Sequence, residues 1–198
     1  MKYLSFDLEA TGLAENDLII EFAMVPFDTE TAIIESSLSF HSFIKCPTFA
    51  ELKPRLDEWV IKHNETLINN AHETGISLTE LKIQLENYFN SEEVKNYFTC
   101  DDTNKIKLFG KSMNAIDLPF LNRDLGWEFM RKYFDHRVLD LSSVAYAMAD
   151  LHFIPESCIS GSGIMKFLNM GDVAHTALAD AKNTALIYLE LLKRFKMP

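Results

Sequence analysis

Apolar residues fall into compact runs over the first forty-five positions and into helical spacing further along the chain. Residues 3–7 read as a buried strand, and residues 17–28 (D-L-I-I-E-F-A-M-V-P-F-D) predict a second. A third is expected over 32–45, carried by Ile33, Leu38, Phe40 and Phe43. The pair Thr11-Gly12 marks a turn after the first strand. Ser77-Leu78-Thr79-Glu80 has the pattern of a capping box, opening a helix through Phe89 with Leu81, Leu85 and Phe89 on one face. A short strand is predicted over 105–110 and helices over 116–125 and 140–151, the last capped by Asp140. The strongest helical pattern spans 176–195, Ala-rich at its start and Leu-rich at its end, with Lys193, Arg194 and Lys196 closing it. Strands first, then strands alternating with helices, predict an α/β domain with a mixed sheet flanked by helices. No repeat or composition break divides the chain, so residues 1–198 are read as one domain.

Composition narrows the class without naming a function. The 198 residues are 47% hydrophobic and 24% charged, near globular averages, which excludes a disordered or low-complexity chain. Cys46, Cys100 and Cys158 are scattered with no C-x-x-C pair, so neither a disulfide framework nor a zinc ribbon is expected. No apolar run approaches the roughly 18 residues of a membrane span. Charge appears too early for a signal peptide, and a soluble cytoplasmic protein without a membrane partner is the expectation. The net charge is −10, and residues 1–99 hold all of it, with 7 Lys/Arg against 17 Asp/Glu. Such a surface disfavours coating a long phosphate backbone, which needs many basic contacts. It leaves open a short strand held by a metal ion and a few pocket contacts.

The candidate chemistry is acidic. Strand periodicity puts Asp7 and Glu9 on one face, with Phe6 and Leu8 on the other. Two adjacent carboxylates repel unless a cation lies between them. Asp117 follows the 105–110 strand in N-A-I-D-L-P-F-L, and His175 and Asp180 straddle the start of the last helix in H-T-A-L-A-D-A. Ala177, Ala179 and Ala181 would let that helix approach another element closely. Each piece alone reads as well as a solvated strand end or a helix-start acid. Together, four carboxylates and one histidine in three apolar-flanked blocks suit Mg²⁺ or Mn²⁺ rather than zinc. Two such ions roughly 3.5–4 Å apart clamp the attacking and leaving oxygens of a phosphodiester. The inferred chemistry is metal-assisted phosphodiester hydrolysis.

These blocks resemble the three motifs of the DEDD-type 3′–5′ exonucleases of the histidine subclass. Phe6–Leu13 (F-D-L-E-A-T-G-L) is similar to the first motif, Asn114–Leu121 to the second and His175–Ala181 to the third, in the same order and separation. The resemblance implies a ribonuclease-H-like fold with a mixed central sheet. It implies Asp7, Glu9, Asp117 and Asp180 as ligands of two divalent ions and His175 as general base. Within the subclass the chain is similar to oligoribonucleases through Leu56–Trp59, His63 and Tyr133–Ser142. That likeness implies Leu13 and Trp59 as a wedge for the bases of a short single-stranded RNA. It implies Arg137, Ser142 and Ser112 as a cap on the 5′ phosphate, and His136 at the position of an aromatic supplied across a homodimer. The chain departs from the pattern in four places. One extra residue separates Gly110 from Asp117, Trp59 and His63 lie one residue closer than usual, His136 replaces a tyrosine, and Thr176 stands where oligoribonucleases often carry arginine or a similar long side chain. The stretch Ser160–His175 is more similar to ribonuclease T and proofreading exonucleases. Expectation therefore runs first to a short-RNA exoribonuclease releasing 5′-mononucleotides. Second comes a 3′–5′ exonuclease on single-stranded DNA or RNA 3′ ends. A catalytically silent binding module is the reading from a different class, and the retention of all five side chains speaks against it.

Overall fold

The structure is a computed structural model that describes residues 1–100, 104–171 and 175–195. Its sheet is built on β1 (Lys2–Ala10) and β2 (Ile19–Asp28), long antiparallel neighbours whose apolar runs are buried on both faces. β2 also pairs antiparallel with β3 (Ile33–Ile34) and β4 (Phe40–Phe43). On the other side of β1 run β5 (Leu108–Gly110) and β6 (Leu139–Asp140), both parallel to it, giving the order β3-β2-β1-β5-β6. The expected mixed sheet is present. The single strand expected over 32–45 is not. Ala32 takes a left-handed backbone (φ 57°), and a 3₁₀ turn over Ser36–Leu38 separates β3 from β4.

Ten helices are formed among the described residues. α1 (Phe49–Leu52), α2 (Glu58–His63) and α3 (Glu65–Thr74) pack Leu52, Val60, Leu67 and Ile68 under Ile20 of β2. α4 (Leu78–Asn90) starts where Ser77 accepts a hydrogen bond from the Glu80 N–H and is followed by α5 (Glu92–Phe98). α6 (Asp117–Asp124) and α7 (Trp127–Tyr133) complete this layer. Leu81, Leu85, Phe89, Phe120 and Phe129 meet Leu4, Phe6 and Leu8 on one sheet face. The opposite face, through Tyr3, Phe27 and Phe109, packs on α8 (Leu141–Asp150), α9 (Gly161–Phe167) and α10 (Ala177–Phe195). Lys196, expected in the final helical turn, lies outside the described residues.

The approach of α10 to β1 sets the distances within the site. Ala177, Ala181 and Ala185, spaced by four, are fully buried, and the Ser5 hydroxyl donates to the Ala181 carbonyl at 2.7 Å. Ala179, expected among the contact residues, is only half-buried, because its position is off that stripe. Overpacking the stripe should move the helix. Ala181→Val is expected to cost about 1–3 kcal/mol and to weaken Mn²⁺ binding, read by thermal unfolding and calorimetric titration.

Candidate active site

The C-terminal ends of the parallel strands β1 and β5 open onto one cavity of about 1130 Å³. Crevices outside the carboxyl ends of parallel strands are the usual ligand sites of α/β sheets. Alternation along β1 turns Asp7 and Glu9, like Tyr3 and Ser5, toward α10, while Leu4, Phe6 and Leu8 enter the opposite core. α10 brings Asp180 to them. One oxygen from each of Asp7, Glu9 and Asp180 lies within 4.8 Å of the others. Asp117, buried in the first turn of α6, lines the same cavity, as does His175. The His175 ring is 81% exposed, with Nδ1 3.9 Å from Asp180 Oδ2. The structure thus brings together all five residues of the three sequence motifs.

Their electrostatics are those of crowded acids only partly compensated by Lys111 and His175. Burial first, then the charges of Asp117, Glu9 and Asp180, push the Asp7 carboxyl well above its usual range. Burial, with Asp180, Glu21 and Asp117, raises Glu9 to about 7. Asp117 also rises to about 7, chiefly by burial, with the backbone N–H groups of Leu8 and Asp117 offsetting part of the rise. Asp180 is raised by burial and partly relieved by His175 and Lys111. Groups whose folded values are raised favour the folded state in full below their unfolded values. That contribution is lost as pH climbs from about 4 through about 7. The metal-free site therefore weakens the fold at neutral and alkaline pH.

The walls carry other expected residues. Leu13 (75% exposed) and Trp59 (55% exposed) both face the cavity. Leu13 sits on a loop fixed by Asp17, which accepts from the Thr11 hydroxyl at 2.9 Å and the Ala14 N–H at 2.8 Å. Gly12 is required there, since a Cβ would lie 2.4 Å from Asp17 Oδ2. Trp59 stacks on His63 with ring centroids 4.6 Å apart. Ser112 lines the cavity and its Oγ lies 2.8 Å from Ser142 Oγ. The remainder of the expected phosphate cap is elsewhere. Arg137 is held by Asp135 through two bonds of 3.1 and 2.9 Å, His136 is exposed beside the same carboxylate, and neither lines the cavity. A carboxylate two residues away wins the guanidinium locally.

Three residues outside the expected set organise the site. Glu21, 2% exposed, faces Glu9 across the strand pair. Its Oε2 accepts the Ala177 N–H at 3.0 Å and its Oε1 lies 2.6 Å from His41 Nε2, anchoring the start of α10 between His175 and Asp180. A lone charge inside an apolar strand run was the available signal, because a buried carboxylate must find donors. Asp140, expected as a cap, accepts from the Ser142 N–H at 2.8 Å and also from the Ser112 N–H at 3.0 Å. That second bond holds a left-handed turn at Ser112 (φ 57°), within the Gly110–Asp117 segment that carries the extra residue. The third is Lys111, which lines the cavity.

A half-buried acidic cluster with a histidine at its edge, on a mixed sheet flanked by helices, defines a nuclease-like site. The Exonuclease family (RNase_T) matches residues 4–188, and the chain belongs to that family. No curated protein is similar enough in sequence to count as a match. Solved structures share the fold. The nuclease domain of 3′hExo, a DEDDh family member bound to rAMP, is 17% identical with a TM-score of 0.64 over 98% of this chain and 92% of that one. Cell-death related nuclease 4 (CRN-4) is 17% identical with a TM-score of 0.71 over 98% of this chain, which spans 64% of that chain's length. The Mg²⁺- and Mn²⁺-bound form of S. pombe Pop2p is 16% identical with a TM-score of 0.60, covering 98% and 84%. The ribonuclease-H-like architecture expected from the motifs is therefore present, and the nuclease class stands with the family.

Proposed function

We propose that the protein is a divalent-cation-dependent 3′–5′ exonuclease that releases 5′-mononucleotides from single-stranded 3′ ends. The observation that carries this reading is the convergence of Asp7, Glu9, Asp117, Asp180 and His175 on one cavity. The donor set fits a hard cation: all oxygen, no cysteine, and carboxyls raised by mutual repulsion that a positive charge would reverse. Asp7, Glu9, Asp117 and Asp180 would hold Mg²⁺ or Mn²⁺, the ions bound in the S. pombe Pop2p structure. When bound, such ions stabilise charge on the phosphodiester's oxygens and favour the attacking oxygen's deprotonation. The protein's own residues do the rest. His175, exposed at the cavity edge with Nδ1 3.9 Å from Asp180 Oδ2, takes the proton of the attacking water through a ring nitrogen. Leu13 and Trp59 offer apolar surface for the terminal bases, since stacking tolerates any base. A soluble, cytoplasmic setting goes with this reading.

The short-oligoribonucleotide reading is favoured by Ser112, Leu13 and Trp59 in the cavity and opposed by the capture of Arg137 on Asp135. Its two-fold homodimer, with His136 reaching across, belongs to that second reading. Digestion of 5′-labelled RNA and DNA of two to thirty nucleotides tests both. A ladder shortening from the 3′ end, abolished by chelator and restored by Mn²⁺, is expected, with twenty-nucleotide strands cut at least as well as dinucleotides. A steep preference for 5′-phosphorylated dinucleotides would select the short-RNA enzyme. Internal cuts, or full activity in excess chelator, would defeat the exonuclease reading.

A further inference from the structure

Lys111 follows β5 at the carboxyl edge of the sheet and stands among the acids without a role in the chemistry above. Three observations concern where it is held. The turn behind it is fixed by the Asp140 and Ser142 bonds to Ser112, whose left-handed backbone (φ 57°) a non-glycine residue adopts only when its surroundings enforce it. Its side chain lies across Gly161 at the start of α9, where a Cβ would come 2.7 Å from Nζ and 2.9 Å from Cε, so glycine leaves the ammonium its path into the cavity. Among the described residues, finally, no carboxylate is within 4.0 Å of Nζ, although the lysine's charge is felt at Asp7, Asp117 and Asp180. An ammonium that is near three acids and bound to none of them is placed for an anion that enters between them.

We propose that Lys111 is a substrate-binding residue whose ammonium holds a non-bridging phosphate oxygen in the 3′-terminal segment of the bound strand. The inference rests on the exonuclease reading for the identity of the anion. Cations on the four carboxylates remove the acids' claim on the lysine, and a phosphodiester becomes the strongest acceptor within its reach. The same position lets Lys111 act as a point charge rather than a fork, so it follows the backbone and not the base.

The test measures binding and turnover separately on the whole chain. Binding of a labelled twelve-nucleotide RNA is read by anisotropy in Ca²⁺, and first-nucleotide release is read in saturating Mn²⁺. Lys111→Met is expected to weaken strand binding and lower kcat/KM by about tenfold to a hundredfold. Its log–log salt dependence of binding should be shallower by about 0.7, one phosphate's share for a single strand. Uncharged methylphosphonate at the second or third linkage from the 3′ end should slow the wild type and leave Lys111→Met unaffected at one of those positions. Gly161→Ala, which displaces the ammonium while keeping the charge, should give a smaller loss in the same direction. Wild-type binding and salt slope in Lys111→Met would overturn the proposal, as would a loss cured by excess Mn²⁺, which would mean that the lysine serves only the carboxylates. Weakened binding by Lys111→Met beside a wild type that releases no nucleotide would sustain the lysine's role and defeat the exonuclease reading instead.

Discussion

Asp7→Asn is expected to stop hydrolysis while making the metal-free protein more heat-stable above neutral pH. Asp7 sits at the centre of the acidic cluster, its carboxyl raised by burial and by Asp117, Glu9 and Asp180 together. The amide keeps the shape and removes the charge. Loss of one centrally placed charge-stabilising group should lower turnover by on the order of 10³-fold, the scale seen when a single preorganised stabiliser is deleted. Relief of repulsion should be worth on the order of 1–2 kcal/mol, or about 2–8 °C for a domain of this size. The sign depends on pH. Below about pH 4 the carboxyl is protonated in the folded and the unfolded chain alike, and the two proteins should melt together. At pH 8.5 in chelator the variant should melt higher, and Mn²⁺ should raise the wild type more than the variant. Scanning calorimetry at the two pH values checks this. A variant that is dead and also less stable at pH 8.5 would mean that Asp7 supports the fold rather than straining it.

His175→Ala carries the second large effect and divides chemistry from ion binding. His175 faces the cavity but lies outside the carboxylate cluster. Its removal should therefore cost about 10²–10⁴-fold in turnover with little change in Mn²⁺ affinity, measured by single-turnover kinetics beside calorimetric titration. Most of the turnover surviving would move the base to another group. A parallel collapse of Mn²⁺ binding would make His175 a ligand.

The site was largely legible because its signals are local and periodic. Alternation on β1 separates Asp7 and Glu9 from Phe6 and Leu8, and that separation is the one observed. Ser77 and Asp140 cap helices as their spacing predicts, and the last helix is where its Ala-rich start puts it. Elements that depend on tertiary contacts were not legible. α2 is too short to show a period, whereas Leu67, Ile68 and Ala71 of α3 do recur at helical spacing and carried a signal; Val60 joins them as one stripe only against Ile20. The break between β3 and β4 follows backbone conformation at Ala32 and 36–38, which an apolar run conceals. Arg137 is the reverse case. Its resemblance to a phosphate-capping position is real in sequence, yet Asp135 two residues earlier claims the guanidinium. Lys111 has no sequence pattern at all, because its neighbours come from β1, α6, α9 and α10.

The Asp7–Glu9–Asp117–Asp180 cluster is proposed to bind divalent cations for hydrolysis. The most direct measurement counts Mn²⁺ bound to the metal-free protein by electron paramagnetic resonance, alongside nucleotide release from a labelled single strand. Two ions per chain are expected, with release that rises in step with their binding and loss of binding and release together in Asp7→Asn. Release at the full rate with no Mn²⁺ or Mg²⁺ bound would contradict it.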